Sequence, residues 1–154
     1  MKVSAGLLMY RRNNGQLEML IAHPGGPIYR RKDAGHWTIP KGLVDDQETF
    51  LAAAQREFSE ETGFEVSADN FIELGAIRLA SGKIVHGFAF EGDANPADLN
   101  SNSFDLEWPP HSGRFGAYPE VDEVRFVDPS EARRLLNPAQ GPFVDRLQAA
   151  LGAG

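Results

Sequence analysis

Glu57, Glu60 and Glu61 stand in a stretch that reads GLVDDQETFLAAAQREFSEETGF from Gly42 to Phe64. At 3.6 residues per turn, the three carboxylates project from neighbouring points on one side of a helix. The arc they share adjoins an apolar stripe of Phe50, Leu51, Ala54 and Phe58, so it falls at the edge of the buried face. Three clustered carboxylates repel one another, and the cluster costs stability unless a cation sits among them. Oxygen-only ligands suit a hard cation, magnesium or manganese, and not zinc or copper. A solvated acidic face is the plainer reading of a Glu-rich helix. It does not explain why Arg56 interrupts the acids, or why glycines, Gly42 and Gly63, stand at both ends.

The elements that must position this helix are legible from turn signals and periodicity. Val3–Tyr10 and Leu17–His23 are short apolar runs separated by Asn13, Asn14 and Gly15, which reads as two strands and a turn. Pro24-Gly25-Gly26-Pro27 breaks regular structure, a basic run Arg30-Arg31-Lys32 follows, and His36–Ile39 forms a third short extended stretch stopped by Pro40. The helical pattern begins at Asp45, where Asp45 and Glu48 make a capping-box signature, and Gly63 is its stop. Phe71–Ala80 and Lys83–Glu91 read as a hairpin turned at Ser81-Gly82. Residues 92–119 are rich in Gly, Pro, Asn and Ser, with Phe104, Trp108, Phe115 and Tyr118 interspersed, and read as a long functional loop. One more strand, Glu123–Val127, and two helices, Pro129–Leu136 and Pro142–Leu151, complete the chain, with Asp128 as N-cap of the first. The order predicts a mixed α/β (α+β) fold in a single domain spanning residues 1–154.

Composition narrows the function. Twenty-two acidic against fifteen basic residues give a formal net charge of −7. That is a poor surface for gripping a nucleic-acid backbone, so no nucleic-acid partner is expected. With no cysteine, the chain has no disulfide framework, thiol nucleophile or thiolate zinc site. No apolar run approaches the roughly 20 residues of a membrane span, and no targeting segment is legible at the N-terminus. The expectation is a cytoplasmic protein with no membrane partner.

Gly42, Glu48, Arg56-Glu57, Phe58, Glu60-Glu61, Gly63 and Phe64 reproduce, position by position, the complete Nudix box. The chain thus resembles the Nudix hydrolase family, and its length and strand order are similar to a whole Nudix domain, an α/β/α sandwich with a mixed central sheet. The two apolar positions carry phenylalanines where smaller aliphatics are more usual. The resemblance implies hydrolysis of a nucleoside diphosphate linked to another group, with Mg2+ or Mn2+ as cofactor and a nucleotide-derived small molecule as substrate. It implies that Glu57, Glu60 and Glu61 hold the metal with the backbone carbonyl of Gly42. Arg56 would orient the glutamates, and Glu48 would support them from a turn earlier. A further carboxylate is expected six positions before an aromatic on the late strand, which selects Glu120 before Phe126 as metal ligand or general base. Glu123 is its rival and Asp122 the outsider.

Trp37-Thr38-Ile39-Pro40-Lys41-Gly42 is similar to the approach found in Nudix enzymes acting on dinucleoside polyphosphates, which implies Lys41 as a phosphate contact and Trp37 as a substrate contact. Glu107-Trp108-Pro109-Pro110-His111-Ser112-Gly113 resembles a stretch in a bacterial Nudix branch. Trp108, Phe115 or Tyr118 is expected to stack on a base as segment 92–119 closes over it. The scattered histidines His23, His36, His86 and His111 have no metal-ligand spacing, and of Lys83 and Arg78 the sequence does not say which faces a cleft. The leading expectation is a hydrolase of dinucleoside polyphosphates. A sanitising nucleoside triphosphate pyrophosphohydrolase and a non-catalytic nucleotide-binding module of the same fold are the alternatives.

Overall fold

The computed structural model describes residues 3–152. Its central strand, β1 (Val3–Asn13), is buried at every position from Ser4 to Tyr10. A strand covered on both faces reads as an unbroken apolar run and not as an alternation. Asn14 and Gly15, at φ 53° and 79°, turn the chain into β2 (Gln16–Pro24), which pairs antiparallel with β1 from Tyr10–Met19 to Asn13–Gln16. β3 (Lys41–Leu43) pairs antiparallel with the other end of β1, Ser4 opposite Leu43 and Gly6 opposite Lys41.

The third strand therefore lies after Pro40, whereas the sequence places it at His36–Ile39. Trp37 and Thr38 make single bridges to Leu136 and Ala22. Proline has no N–H for a ladder, and Pro40 instead lends its carbonyl to the Leu7 N–H at 3.0 Å.

α1 (Phe50–Thr62) starts five residues later than the sequence suggests. Its N-cap is Thr49, whose hydroxyl accepts from the Ala52 N–H at 3.1 Å. The Asp45 N–H does donate to Glu48 Oε1 at 3.0 Å, but within a turn ahead of the helix, because Gln47 at φ 66° cannot be helical. Gly63 ends the helix at φ 76°, as expected. The buried face is Ala53, Ala54, Phe58 and Thr62. Phe50 and Leu51 stay out of the core, and Phe50 stacks instead on His86 with ring centroids 4.0 Å apart.

β4 (Ile72–Arg78) and β5 (Ile84–Glu91) form the expected hairpin, and β5 runs parallel to β1. The region 92–119 is not a plain loop: β6 (Ser103–Glu107) and β7 (Phe115–Pro119) make a separate two-stranded sheet. Ser103–Glu107 does alternate polar and apolar residues, but Phe115–Pro119 does not, and neither strand has a fully buried residue. The root of this hairpin caps α1, with the Asn100 N–H on the Thr62 carbonyl at 2.9 Å and the Asn102 N–H on the Glu60 carbonyl at 2.8 Å.

β8 (Val121–Val127) pairs with β2 and completes the sheet in the order β4-β5-β1-β2-β8, with β3 on β1. α1 covers one face, packing Ala53, Ala54 and Phe58 among Leu7, Met9, Leu20 and Phe90. α2 (Pro129–Leu135) and α3 (Gly141–Leu151) cover the other, where Leu135, Phe143 and Leu147 meet Leu8, Ile21 and Trp37. This is the mixed sheet between helical layers that the sequence predicts.

Thr49→Ala should lower stability by about 1 kcal/mol in urea unfolding, whereas Asp45→Ala should change it by less than about 0.5 kcal/mol. A larger loss for Asp45→Ala would return the cap to the position read from sequence.

Candidate active site

β3 and the middle of α1 meet at Gly42, and the root of the β6–β7 hairpin ties the end of α1 to Glu120 at the start of β8. Gly42 is required there by contact. A Cβ at this position would stand 1.9 Å from Glu57 Oε2, so only glycine lets the Glu57 carboxylate lie against the strand.

Arg56 organises the acids around that contact. Its Nε and Nη2 donate to the two oxygens of Glu48 at 2.9 and 3.0 Å, its Nη1 to Glu57 at 2.8 Å and Glu60 at 3.1 Å, and its Nη2 also to the Leu43 carbonyl at 2.9 Å. A planar guanidinium can serve all these partners in one fixed fork, which lysine cannot. Those bonds hold the Glu48 carboxyl down at about 2 and raise Arg56 further above its usual range. Glu48 and Arg56 are thus joined as a two-pronged pair beside Glu57 and Glu60.

Glu57 and Glu61 behave differently. Burial raises the Glu57 carboxyl, against the pull of Arg56 and with the charges of Glu60 and Glu120 adding to it. Burial pushes Glu61 up to about 8; the Lys41 N–H, which donates to Glu61 Oε1 at 3.1 Å, works against this, and Glu57 and Glu120 work with it. Glu120 is thereby close enough to act on both carboxyls. Glu123 instead pairs with Arg125 at 3.0 Å, and Asp122 sits at the bulge of β8 with Oδ1 2.8 Å from His23 Nδ1. Burial also lowers Lys41, with Lys83 adding and Glu61 and Glu57 opposing.

The three helix glutamates lie near one another, since Glu57 shares a donor with Glu60 and its charge acts on Glu61. Among the described residues no group of three carboxylates or histidines is arranged to hold a metal ion. Glu57 and Glu60 share the Arg56 Nη1, and Glu61 accepts from the Lys41 N–H. The donor chemistry still fits a hard divalent cation. It offers only oxygens, and two of its carboxyls are held reluctantly as anions by burial and by one another.

Beside the glutamates, with Lys41 common to both, opens a cleft of about 350 Å³ lined by Tyr29, His36, Lys41, Lys83 and Gln140 among others. Lys83 reaches it and Arg78 does not. Trp37 borders the cleft but is 1% exposed, with its Nε1 donating to Asp33 at 2.7 Å, so it is a core residue that presents no face for stacking. Trp108, Phe115 and Tyr118 do not line the cleft. Phe115 is exposed on the hairpin, and Tyr118 packs on Phe104.

His23 is buried between two acceptors, Asp122 and the Lys32 carbonyl, the latter 2.6 Å from Nε2. Burial disfavours its charged form, but these acceptors prevail and raise its pKa. Sequence reasoning missed this pin, the Gly42–Glu57 contact and the part of Gln140. The pin and the bonds of Gln140 join residues about a hundred positions apart and leave no local pattern, whereas the Gly42–Glu57 contact lies within the box.

The NUDIX domain family model matches residues 1–147, and the chain belongs to that family. It is 38% identical over 76 residues to the mouse asymmetrical bis(5'-nucleosyl)-tetraphosphatase, a match covering 46% of this chain and 48% of the relative. The chain thus spans about half the length of that relative. Among solved structures it is similar to a Caenorhabditis elegans Ap4A hydrolase in a binary complex, with TM-score 0.69 and 23% identity over all of both chains. The NUDIX domain of Shewanella oneidensis NrtR complexed with ADP ribose has TM-score 0.62 and 13% identity, covering 97% of this chain and 87% of that one. At these identities the two structures speak for the fold.

The raised Glu61 carboxyl has a measurable consequence for the metal-free protein. A folded-state value of about 8 against an ordinary 4.5 means that its contribution to stability is fully present below about 4.5 and is lost as pH rises to about 8. Glu61→Gln removes the titration. Its melting temperature in a metal chelator should therefore fall less than that of the wild type between pH 5 and pH 8; parallel curves would contradict the shift.

Proposed function

We propose that this chain is a metal-dependent pyrophosphohydrolase that cleaves a phosphoric anhydride bond in a nucleotide, with dinucleoside polyphosphates as the substrate class. The observation that carries the reading is the adjacency of two environments. Glu57 and Glu61 are carboxyls held partly out of water, with the charge of exposed Glu120 acting on both, and the Lys41–Lys83 cleft opens beside them. The cluster suits cation-assisted attack of water on phosphorus, and the lysines suit an anionic chain.

Glu57, Glu60, Glu61 and Glu120, with the Gly42 carbonyl, would hold the Mg2+ or Mn2+. When bound, that cation neutralises phosphate charge and lowers the pKa of a water. Lys41, whose charge burial already disfavours, gains most from an anion placed against it. Glu57, whose carboxyl burial raises, takes the proton from the attacking water, with Glu120 as the other candidate base. One oxygen–phosphorus bond forms, the anhydride bond breaks, and the leaving phosphate departs along the cleft. Arg56 keeps Glu57 and Glu60 oriented throughout. Tyr29 and His36, with ring centroids 6.5 Å apart at the cleft, offer the stacking surface for a base that the sequence assigns to Trp108, Phe115 or Tyr118. The partial likeness to the mouse tetraphosphatase supports a dinucleoside polyphosphate as substrate over a damaged triphosphate.

A panel of dinucleoside polyphosphates, sugar nucleotides and nucleoside triphosphates, with products identified by mass, tests the reading. Preferred turnover of triphosphates would favour the sanitising activity. Absence of turnover with magnesium and manganese across the panel would leave a binding module. Glu57→Gln and Glu60→Gln should each reduce kcat by about 100-fold or more with the fold retained, since shape is kept and charge removed. Glu120→Gln should do likewise at saturating magnesium and Glu123→Gln should not; the opposite ranking would transfer the role to Glu123.

A further inference from the structure

Gln140 is a polar side chain 1% exposed, at the end of the turn Pro138–Gln140 that leads into α3. Its Oε1 accepts from the Ile39 N–H at 2.9 Å, and its Nε2 donates to Thr38 Oγ1 at 2.9 Å. That hydroxyl donates in turn to the Ile39 carbonyl at 2.8 Å. The flanking amides are held by main chain: Trp37 by the Leu135 carbonyl and Thr38 by the Ala22 carbonyl, both at 2.9 Å. Between Trp37 and Pro40, Ile39 alone hangs its N–H on a side chain. Two residues further on, the Lys41 N–H meets Glu61, and the next residue is the glycine that seats Glu57.

We infer that Gln140 is a positioning residue for the active site, setting Lys41 and Gly42 against the glutamate helix from the opposite side of the sheet. The inference rests on the catalytic reading of that site. A primary amide serves both partners at once, accepting from Ile39 and donating to a Thr38 hydroxyl whose own proton goes to the Ile39 carbonyl, whereas a thioether accepts poorly and donates nothing. Losing it frees the segment at Ile39, and the slack is passed to the Lys41–Glu61 bond and the Gly42–Glu57 contact.

Amide hydrogen exchange in Gln140→Met, read without substrate, tests this. Exchange at Lys41 and Gly42 should accelerate by about tenfold or more while the amides of central β1 keep their protection. kcat on the best substrate should fall by a similar factor, with KM moving less. Thr38→Val, which removes one partner of Gln140 at nearly constant volume, should reproduce the pattern more mildly and serves if Gln140→Met fails to fold. Unchanged protection at Lys41 in both variants would overturn the inference. So would acceleration shared evenly across the sheet, which would make Gln140 a residue of global stability only. Wild-type turnover on the nucleotide panel tests the catalytic reading by itself, so the two can fail separately.

Discussion

The contact between Gly42 and the Glu57 carboxylate is the constraint around which the rest of the site is arranged. It demands that a strand and a helix approach until no side-chain carbon fits between them. The approach is set from both sides. β3 is fixed by its register on Ser4–Gly6, and α1 is pressed onto the sheet by Ala53, Ala54 and Phe58, two small residues beside one large one. Small residues let a helix sit close, and the aromatic ring fixes its rotation by filling the space against Phe64 and Phe90. Phenylalanines at both apolar positions of the box thus pack against each other.

The same closeness creates the electrostatic problem that Arg56 solves. Carboxylates brought this near would repel, and the guanidinium offsets that repulsion for Glu48, Glu57 and Glu60 while reaching the Leu43 carbonyl of β3. Glu61 is served from elsewhere, by the backbone N–H of Lys41. The site therefore contains one carboxylate firmly ionised, Glu48, and one that resists ionisation, Glu61, within a single helix and its approach. Burial and partner, not residue type, separate them.

What the sequence made legible was local. The glutamate helix, its glycine stop, the Asn-Gly hairpin and the Asp128 cap are each specified within a few residues, and each lies where periodicity and turn chemistry put it. Failures came where two local signals competed or where none existed. Asp45 and Glu48 do bond to each other, but the positive φ of Gln47 defers the helix to Thr49. The strand expected before Pro40 falls after it, because β1 offers its pairing edge to Lys41–Leu43 and takes only a carbonyl from the proline. Trp37 reads as a substrate contact by type and is a core residue by location. Glu120 was singled out by a spacing from Phe126 that the family resemblance supplied, and its charge acts on Glu57 and Glu61, whereas the grip of Gln140 on residues about a hundred positions earlier has no signature in a single sequence.

Asn102 spends both of its backbone groups on the site: its N–H holds the Glu60 carbonyl, and its carbonyl takes the Glu120 N–H at 2.8 Å. The Ser101 hydroxyl oxygen accepts a further bond from the Val121 N–H at 3.0 Å. The two chain segments that carry these acids are thus spliced at the root of the β6–β7 hairpin, and the hairpin forms no ladder with the main sheet. The root and the tip have separate jobs. Residues between the two strands can be shortened, lengthened or exchanged for a foreign sequence while Asn100–Asn102 and Glu120 keep their bonds. The domain therefore carries a natural graft point, where a new recognition surface can be built beside the acids without moving them.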